Sequence, residues 1–148
     1  MDINFIKSCQ QNRHPLLFLD QIINIVPGEK CSSLKCFSYN EWFFPAHFED
    51  EPNVPGFILI ESMVQCFIMT CLSLDEFKGS KTNFLGANNV KFRRKIVPGE
   101  VLINHAELVY FKRGIAKGSV TAYVDSKQAC SADFTVTLPN ILEQFKPK

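Results

Sequence analysis

The residues of this chain best suited to moving protons are a histidine held among phenylalanines, a glutamate set into an apolar run, and a glutamine one helical turn beyond it. His47 sits in Glu41-Trp42-Phe43-Phe44-Pro45-Ala46-His47-Phe48, and Pro45, Pro52 and Pro55 put three prolines into eleven residues, which fixes a loop that is not helical. An imidazole, with an ordinary pKa of about 6.5, exchanges a proton near neutral pH. Glu61 follows fourteen residues later within an apolar stretch, and Gln65 comes four residues after it, so both share one helical face. A carboxyl group in such surroundings needs hydrogen bonds, a proton or a task. Pro55-Gly56 opens the helix, whose first free N–H groups and positive dipole end would welcome a ligand oxygen. Taken singly, a loop histidine is commonly a satisfied surface residue and an acid near a helix start a dipole partner. Together they suit general acid–base chemistry beside a polarised carbonyl.

The elements that must hold these groups follow from the hydrophobic pattern. Phe57 to Leu74 is an eighteen-residue apolar run, long enough to imitate a membrane span. Glu61, Ser62 and Gln65 in its first half, and the lack of basic residues at its start, argue against spanning. A helix apolar nearly all round but kept in water must be wrapped by its own protein. Strands are predicted over Asp20–Val26, Lys30–Ser38, Phe84–Val97, Glu100–Arg113, Ile115–Asp125 and Gln128–Leu138, punctuated by Pro27-Gly28, Pro98-Gly99, Gly114 and Ser126-Lys127. The last four read as a meander, antiparallel because tight connections leave no room for a crossover. The pattern predicts an α+β fold, a curved antiparallel sheet around a long central helix, in one domain over residues 1–148 with a short N-terminal lead (1–11) and a C-terminal tail (139–148).

Composition narrows the function. A chain of 148 residues, 46% hydrophobic and 21% charged, fits one domain, and a net charge of +1 argues against coating nucleic acid by bulk charge. Fourteen phenylalanines call for a wide apolar interior, shared with a ligand or partner. The six cysteines form no CxxC pair and sit at no zinc-like spacing from histidine, so they read as small hydrophobes in a reducing compartment, with no metal expected. The opening Met1-Asp2-Ile3-Asn4 lacks the features of a signal peptide, and a cytoplasmic location is expected.

The string His47-Phe48-x-x-x-Pro52-x-x-Pro55-Gly56-x-x-x-x-Glu61-x-x-x-Gln65 resembles, with every gap in register, the signature of the FabZ-type β-hydroxyacyl-acyl carrier protein dehydratases. Asn12 to Asp20 looks like that family's N-terminal segment and Lys91 to Glu100 like its later basic strand and turn, so the resemblance runs from about residue 12 to 138. It implies the hot-dog fold and a lyase of fatty acid or related acyl-chain biosynthesis that dehydrates 3-hydroxyacyl to trans-2-enoyl thioesters, without metal or redox cofactor. The substrate would arrive on the phosphopantetheine arm of acyl carrier protein. The resemblance further implies homodimers, often three of them in a hexamer, with each active site built from both subunits. Carried over by position, His47 resembles the base, Glu61 the group acting on the β-hydroxyl, the Gly56 N–H the donor to the thioester oxygen, and Gln65 the residue orienting Glu61. Lys91, Arg93, Arg94 and Lys95 are either a solvated strand edge that discourages aggregation or, by resemblance, the carrier-docking rim.

The chain departs from the family pattern at Ala46, where glycine is usual, at Glu49-Asp50-Glu51, at Asn53-Val54, and at Lys95, which replaces a usual proline. A methyl at position 46 matters only if a positive φ is required there. The competing readings are a hot-dog thioesterase, which the His47–Glu61 spacing disfavours, and a specialised acyl-carrier-binding subunit without turnover.

Overall fold

The computed structural model describes residues 1–148. Its elements run α1 (Ile3–Cys9), β1 (Gln21–Val26), β2 (Lys30–Cys36), α2 (Gly56–Leu72), β3 (Asn83–Phe92), β4 (Val101–Lys112), β5 (Ile115–Val124), β6 (Lys127–Thr137) and α3 (Pro139–Leu142). Short 3-10 turns lie at Phe44–Ala46, Asp75–Phe77 and Glu143–Phe145. Thirteen of the seventeen residues of α2 are buried, and the helix packs against β2, β4, β5 and β6. Pro55 supplies no side-chain cap at its start. A missing cap costs about 1 kcal/mol, whereas each fully buried large apolar side chain gains about 1.5–3 kcal/mol, so packing decides that this segment is a helix. The helix is a core element, and no helix of the protein is long and apolar enough to cross a membrane.

The sheet has six antiparallel strands in the order β1-β2-β4-β5-β6-β3. In β2, β5 and β6, and in the first half of β4, buried residues recur at nearly every second position, as one sheet face lies on α2. This confirms the α+β architecture and corrects its details. The meander is limited to β4, β5 and β6: β3 pairs with β6 at the far edge and not with its sequence neighbour β4. The expected strand over 84–97 stops at Phe92, because the following residues leave the ladder to hold another segment: Ile96 is fully buried and its carbonyl accepts from Val54 N at 2.8 Å. Nor is the N-terminal lead a plain lead. Asp2 caps α1 through bonds to the Asn4 and Phe5 N–H groups, and Ile6 and Cys9 enter the core. The tail from Pro139 forms α3, with Ile141 against the core.

The cysteines behave as small hydrophobes: Cys31 is buried and Cys36 exposed, as their opposite faces on β2 require. Burial pushes the Cys71 thiol up to about 11 and that of Cys130 to about 12, so both stay protonated.

Gly118 on β5 sits tightly between the helix and the neighbouring strand β4. A β-carbon there would stand 2.1 Å from the Glu107 carbonyl oxygen and 2.5 Å from the Phe67 ring. Gly118→Ala is expected to destabilise the fold by about 1–3 kcal/mol or more, read as a lower urea midpoint at unchanged m-value. An unchanged midpoint would show that strand and helix can separate freely at this point.

Candidate active site

His47 caps the 3-10 turn Phe44–Ala46, and its ring stacks on Phe48 with centroids 4.4 Å apart. The loop that follows closes on itself: Asn53 N donates to the His47 carbonyl at 2.9 Å, and Phe48 and Glu51 exchange backbone bonds of 3.1 and 3.2 Å. His47 Nδ1 lies 3.1 Å from the Asn53 carbonyl oxygen. A carbonyl only accepts, so Nδ1 carries the proton, and Nε2 is left with the lone pair a base needs. Ala46 is not among the residues with positive φ, so glycine is not required there and the methyl is accommodated.

His47 lines a cavity of about 380 Å³ together with Asn53, Gly56, Phe92, Arg93, Arg94 and Lys95. Gly56 is the first residue of α2, and no bond within the chain uses its N–H. A β-carbon on Gly56 would come within 3.1 Å of the Phe92 ring, so glycine keeps this donor close to the cavity wall.

Glu61 faces elsewhere. It lines a second cavity, of about 370 Å³, with Gln65, Val64, Ile68 and Phe84. Gln65, 1% exposed, uses its whole amide. Oε1 accepts from Phe18 N at 2.8 Å, while Nε2 donates to the Leu16 carbonyl at 2.7 Å and to Glu61 Oε1 at 2.8 Å. The second carboxyl oxygen of Glu61 accepts no bond from the chain. One turn earlier, Ser62 donates to the Phe18 carbonyl at 2.9 Å and accepts from Asn104 Nδ2 at 3.0 Å. The Leu16–Phe18 segment is thereby strapped to the helix beside the carboxyl group.

Within one chain the structure thus groups His47 with Gly56 and, separately, Glu61 with Gln65. The two cavities flank opposite ends of β3: Asn83 and Phe84 at its start line the Glu61 cavity, and Phe92 at its end lines the His47 cavity.

The four basic residues divide as well. Arg94 pairs with Glu100 across the turn into β4, and Lys95 Nζ reaches Glu51 Oε1 at 2.6 Å. Lys91 and Arg93 are exposed and form no ion pair. The Glu51–Lys95 pair joins two of the sequence departures into one contact that ties the His47 loop to the segment after β3. Opposite charge at both positions was its only signal in the sequence. The Asn53 carbonyl that orients His47 left none, since any residue carries that group. His105 bonds the Ser32 hydroxyl at 2.8 Å on the outer sheet face, away from both cavities, and His14 is exposed.

Comparison with known proteins identifies the family. Residues 11–133 match the model of the FabA-like domain family. The chain is 38% identical over 124 residues to the 3-hydroxyacyl-[acyl-carrier-protein] dehydratase FabZ of Enterococcus faecalis, covering 84% of this chain and 86% of that one. It is 40% identical over 133 residues to the FabZ of Clostridium botulinum strain Kyoto, covering 90% and 92%. Among solved structures, the dehydratase heterocomplex ApeI:P from Xenorhabdus doucetiae shares the fold with a TM-score of 0.78 at 18% identity, over 97% of both chains.

Lys95 holds the exposed Glu51 carboxyl below the usual carboxylate range through its hydrogen bond and charge. In Lys95→Met, the Glu51 carboxyl is expected to titrate at higher pH, back in the ordinary range, by carboxyl-carbon NMR. An unmoved titration would mean that the pair does not persist in solution.

Proposed function

The chain belongs to the FabA-like domain family, and from that membership together with its two half-sites we infer that it removes water from 3-hydroxyacyl-acyl carrier protein to give the trans-2-enoyl thioester. It is a hydro-lyase of fatty acid biosynthesis. The single observation that carries the assignment of roles is the position of the half-sites at the two ends of β3. β3 is one of the two edge strands of the sheet and exposes Phe84 and Leu85. An unpaired, partly apolar edge invites a further strand. If two copies pair β3 with β3 antiparallel about a two-fold axis, the Phe92 end of one strand lies beside the Asn83 end of the other. His47 of one subunit then shares a cavity with Glu61 of its partner, and the same contact is made twice.

In that composite site the thioester lies between the two groups. His47 Nε2 takes the proton from the α-carbon, and the freed electron pair forms the new double bond as the bond from the β-carbon to oxygen breaks. Glu61 delivers a proton to the departing hydroxyl, which leaves as water. The Gly56 N–H, at the positive end of α2, donates to the thioester oxygen as negative charge builds there. Gln65 fixes the rotamer of Glu61, so the carboxyl is aimed before substrate arrives. Return of the imidazolium proton to the carboxylate through water completes the cycle. Arg93, which lines the His47 cavity, and Lys91, which shares a neighbouring surface pocket with it, form no ion pair within the chain and are the cations available to an acidic carrier protein. Arg94 and Lys95 are engaged within the chain.

His47→Ala and Glu61→Gln are each expected to lower enoyl-thioester hydration at least about 100-fold, followed by loss of ultraviolet absorbance. Equal mixing of the two inactive variants, after dissociation and reassembly, should restore about one quarter of wild-type activity, because half the random dimers are mixed and each holds one intact site of two. No recovery on mixing would place both groups in one chain. Charge reversal at Lys91 and Arg93 should reduce turnover of the carrier-bound substrate more than that of a short thioester analogue; equal losses would remove them from docking.

A further inference from the structure

Lys35 is the one charged residue that the fold buries, and no step of the dehydration uses it. It stands on β2 in step with Cys31 and Ser33, which are buried like it. Its ammonium lies 2.6 Å from Glu41 Oε1, 3.5 Å from Asp20 Oδ2 and 5.7 Å from the centre of the Phe37 ring. Taking such a pair out of water costs much of what its attraction returns, and well-packed apolar side chains in its place are often as stable or more so. Stability alone is therefore a weak reason for a lysine at this position.

What the ammonium joins is the loop that carries His47 and the segment strapped beside Glu61. On the first side, the Glu41 carbonyl accepts from Phe44 N at 3.4 Å and the Phe44 carbonyl from His47 N at 3.1 Å, so backbone bonds carry the position of Glu41 to the histidine in two steps. On the second, Asp20 follows the Leu16–Phe18 segment that Gln65 and Ser62 bind to α2. Asp20 is itself fixed: its N–H donates to the Leu34 carbonyl at 2.8 Å, and its Oδ2 accepts from Cys36 N at 2.7 Å. The buried Phe43 ring packs between the two sides, 6.4 Å from Phe18 and 6.2 Å from Phe37 by centroids. Apolar packing is non-directional and sets only how deep the loop sits. A charge-assisted hydrogen bond of 2.6 Å has a direction, and it sets where along the segment the loop is held.

We infer that Lys35 is a positioning residue for the dehydration: through Glu41 it holds the His47 loop against the segment beside Glu61, so that the imidazole is presented at one angle before substrate arrives. The inference rests on the dehydratase reading for the role of His47 as base. Neither Lys35 nor Glu41 lines the His47 cavity or the Glu61 cavity, so the pair acts through the loop and not by touching substrate. Small displacements of a reacting group are costly to rate, which is what such a clamp prevents.

The test separates stability from position. Lys35→Met leaves the Glu41 carboxylate without its partner and is expected to lower both Tm and kcat. Lys35→Met combined with Glu41→Met removes the pair and should return Tm to the wild-type value or above. In that double variant kcat for hydration of crotonyl N-acetylcysteamine should stay at least about tenfold down, with KM changed less than about twofold. Nitrogen-15 NMR of the His47 ring at alkaline pH should show a single Nδ1–H tautomer in the wild type and averaged tautomers in the double variant. Return of kcat to the wild-type value together with Tm would show that Lys35 serves the fold only, and overturns the inference. Glu41→Ala, at a partly exposed position, repeats the measurement without a change in the core; an unchanged kcat there overturns it as well. If the wild type neither hydrates nor dehydrates, the dehydratase reading fails alone and the ring signals carry this test. If the wild type turns over and the variants keep its kcat and ring signals, this inference fails alone.

Discussion

A carboxyl group can sit in a helix that is buried nearly all round only when its neighbours hydrogen-bond it, and Gln65 meets that requirement for Glu61 while meeting two others. Its amide binds Glu61, the Leu16 carbonyl and the Phe18 N–H together. The same side chain therefore positions an acid and closes the N-terminal segment over the helix. Ser62 and Asn104 extend the network to β2 and β4 through bonds to the Phe18 carbonyl and the Ser33 hydroxyl. Groups linked in this way couple the helix register to the packing of the lead, although the Asn104 side-chain oxygen is left without a partner.

The second constraint is the unfinished edge of the sheet. β4, β5 and β6 bury one face on α2, while β3 is exposed along most of its length and bulged against β6. An edge of this kind is a liability in a lone chain. Here the edge has a cavity at each end, one with His47 and one with Glu61, so in the proposed dimer the pairing that covers it would also complete the chemistry.

The loop ahead of α2 shows how departures from a family pattern can compensate one another. Glu51 and Lys95 form an exposed ion pair, worth little to global stability by its nature but well placed to tether a loop. Asn53 contributes its carbonyl to His47 and its side-chain amide to the Glu51 carbonyl at 3.1 Å. The histidine is thus oriented by backbone geometry, which tolerates varied side chains around it.

Periodicity and spacing were enough to read the buried helix, most strand positions, the alternating faces of Cys31 and Cys36, and the grouping of Glu61 with Gln65, because i to i+4 and i to i+2 relations are set by local backbone geometry. The helix in the lead was missed, since Ile6 and Cys9 make too short a pattern without the core they join. The pairing of β3 with β6 was missed because proximity in sequence favours a hairpin, whereas the covering of α2 decides the true partner. The division of His47 and Glu61 between two cavities belongs to tertiary structure alone. So does the burial of Lys35 between Glu41 and Asp20, because whether a charge is buried, and against which partners, depends on the segments folded around it and not on its place in a strand pattern.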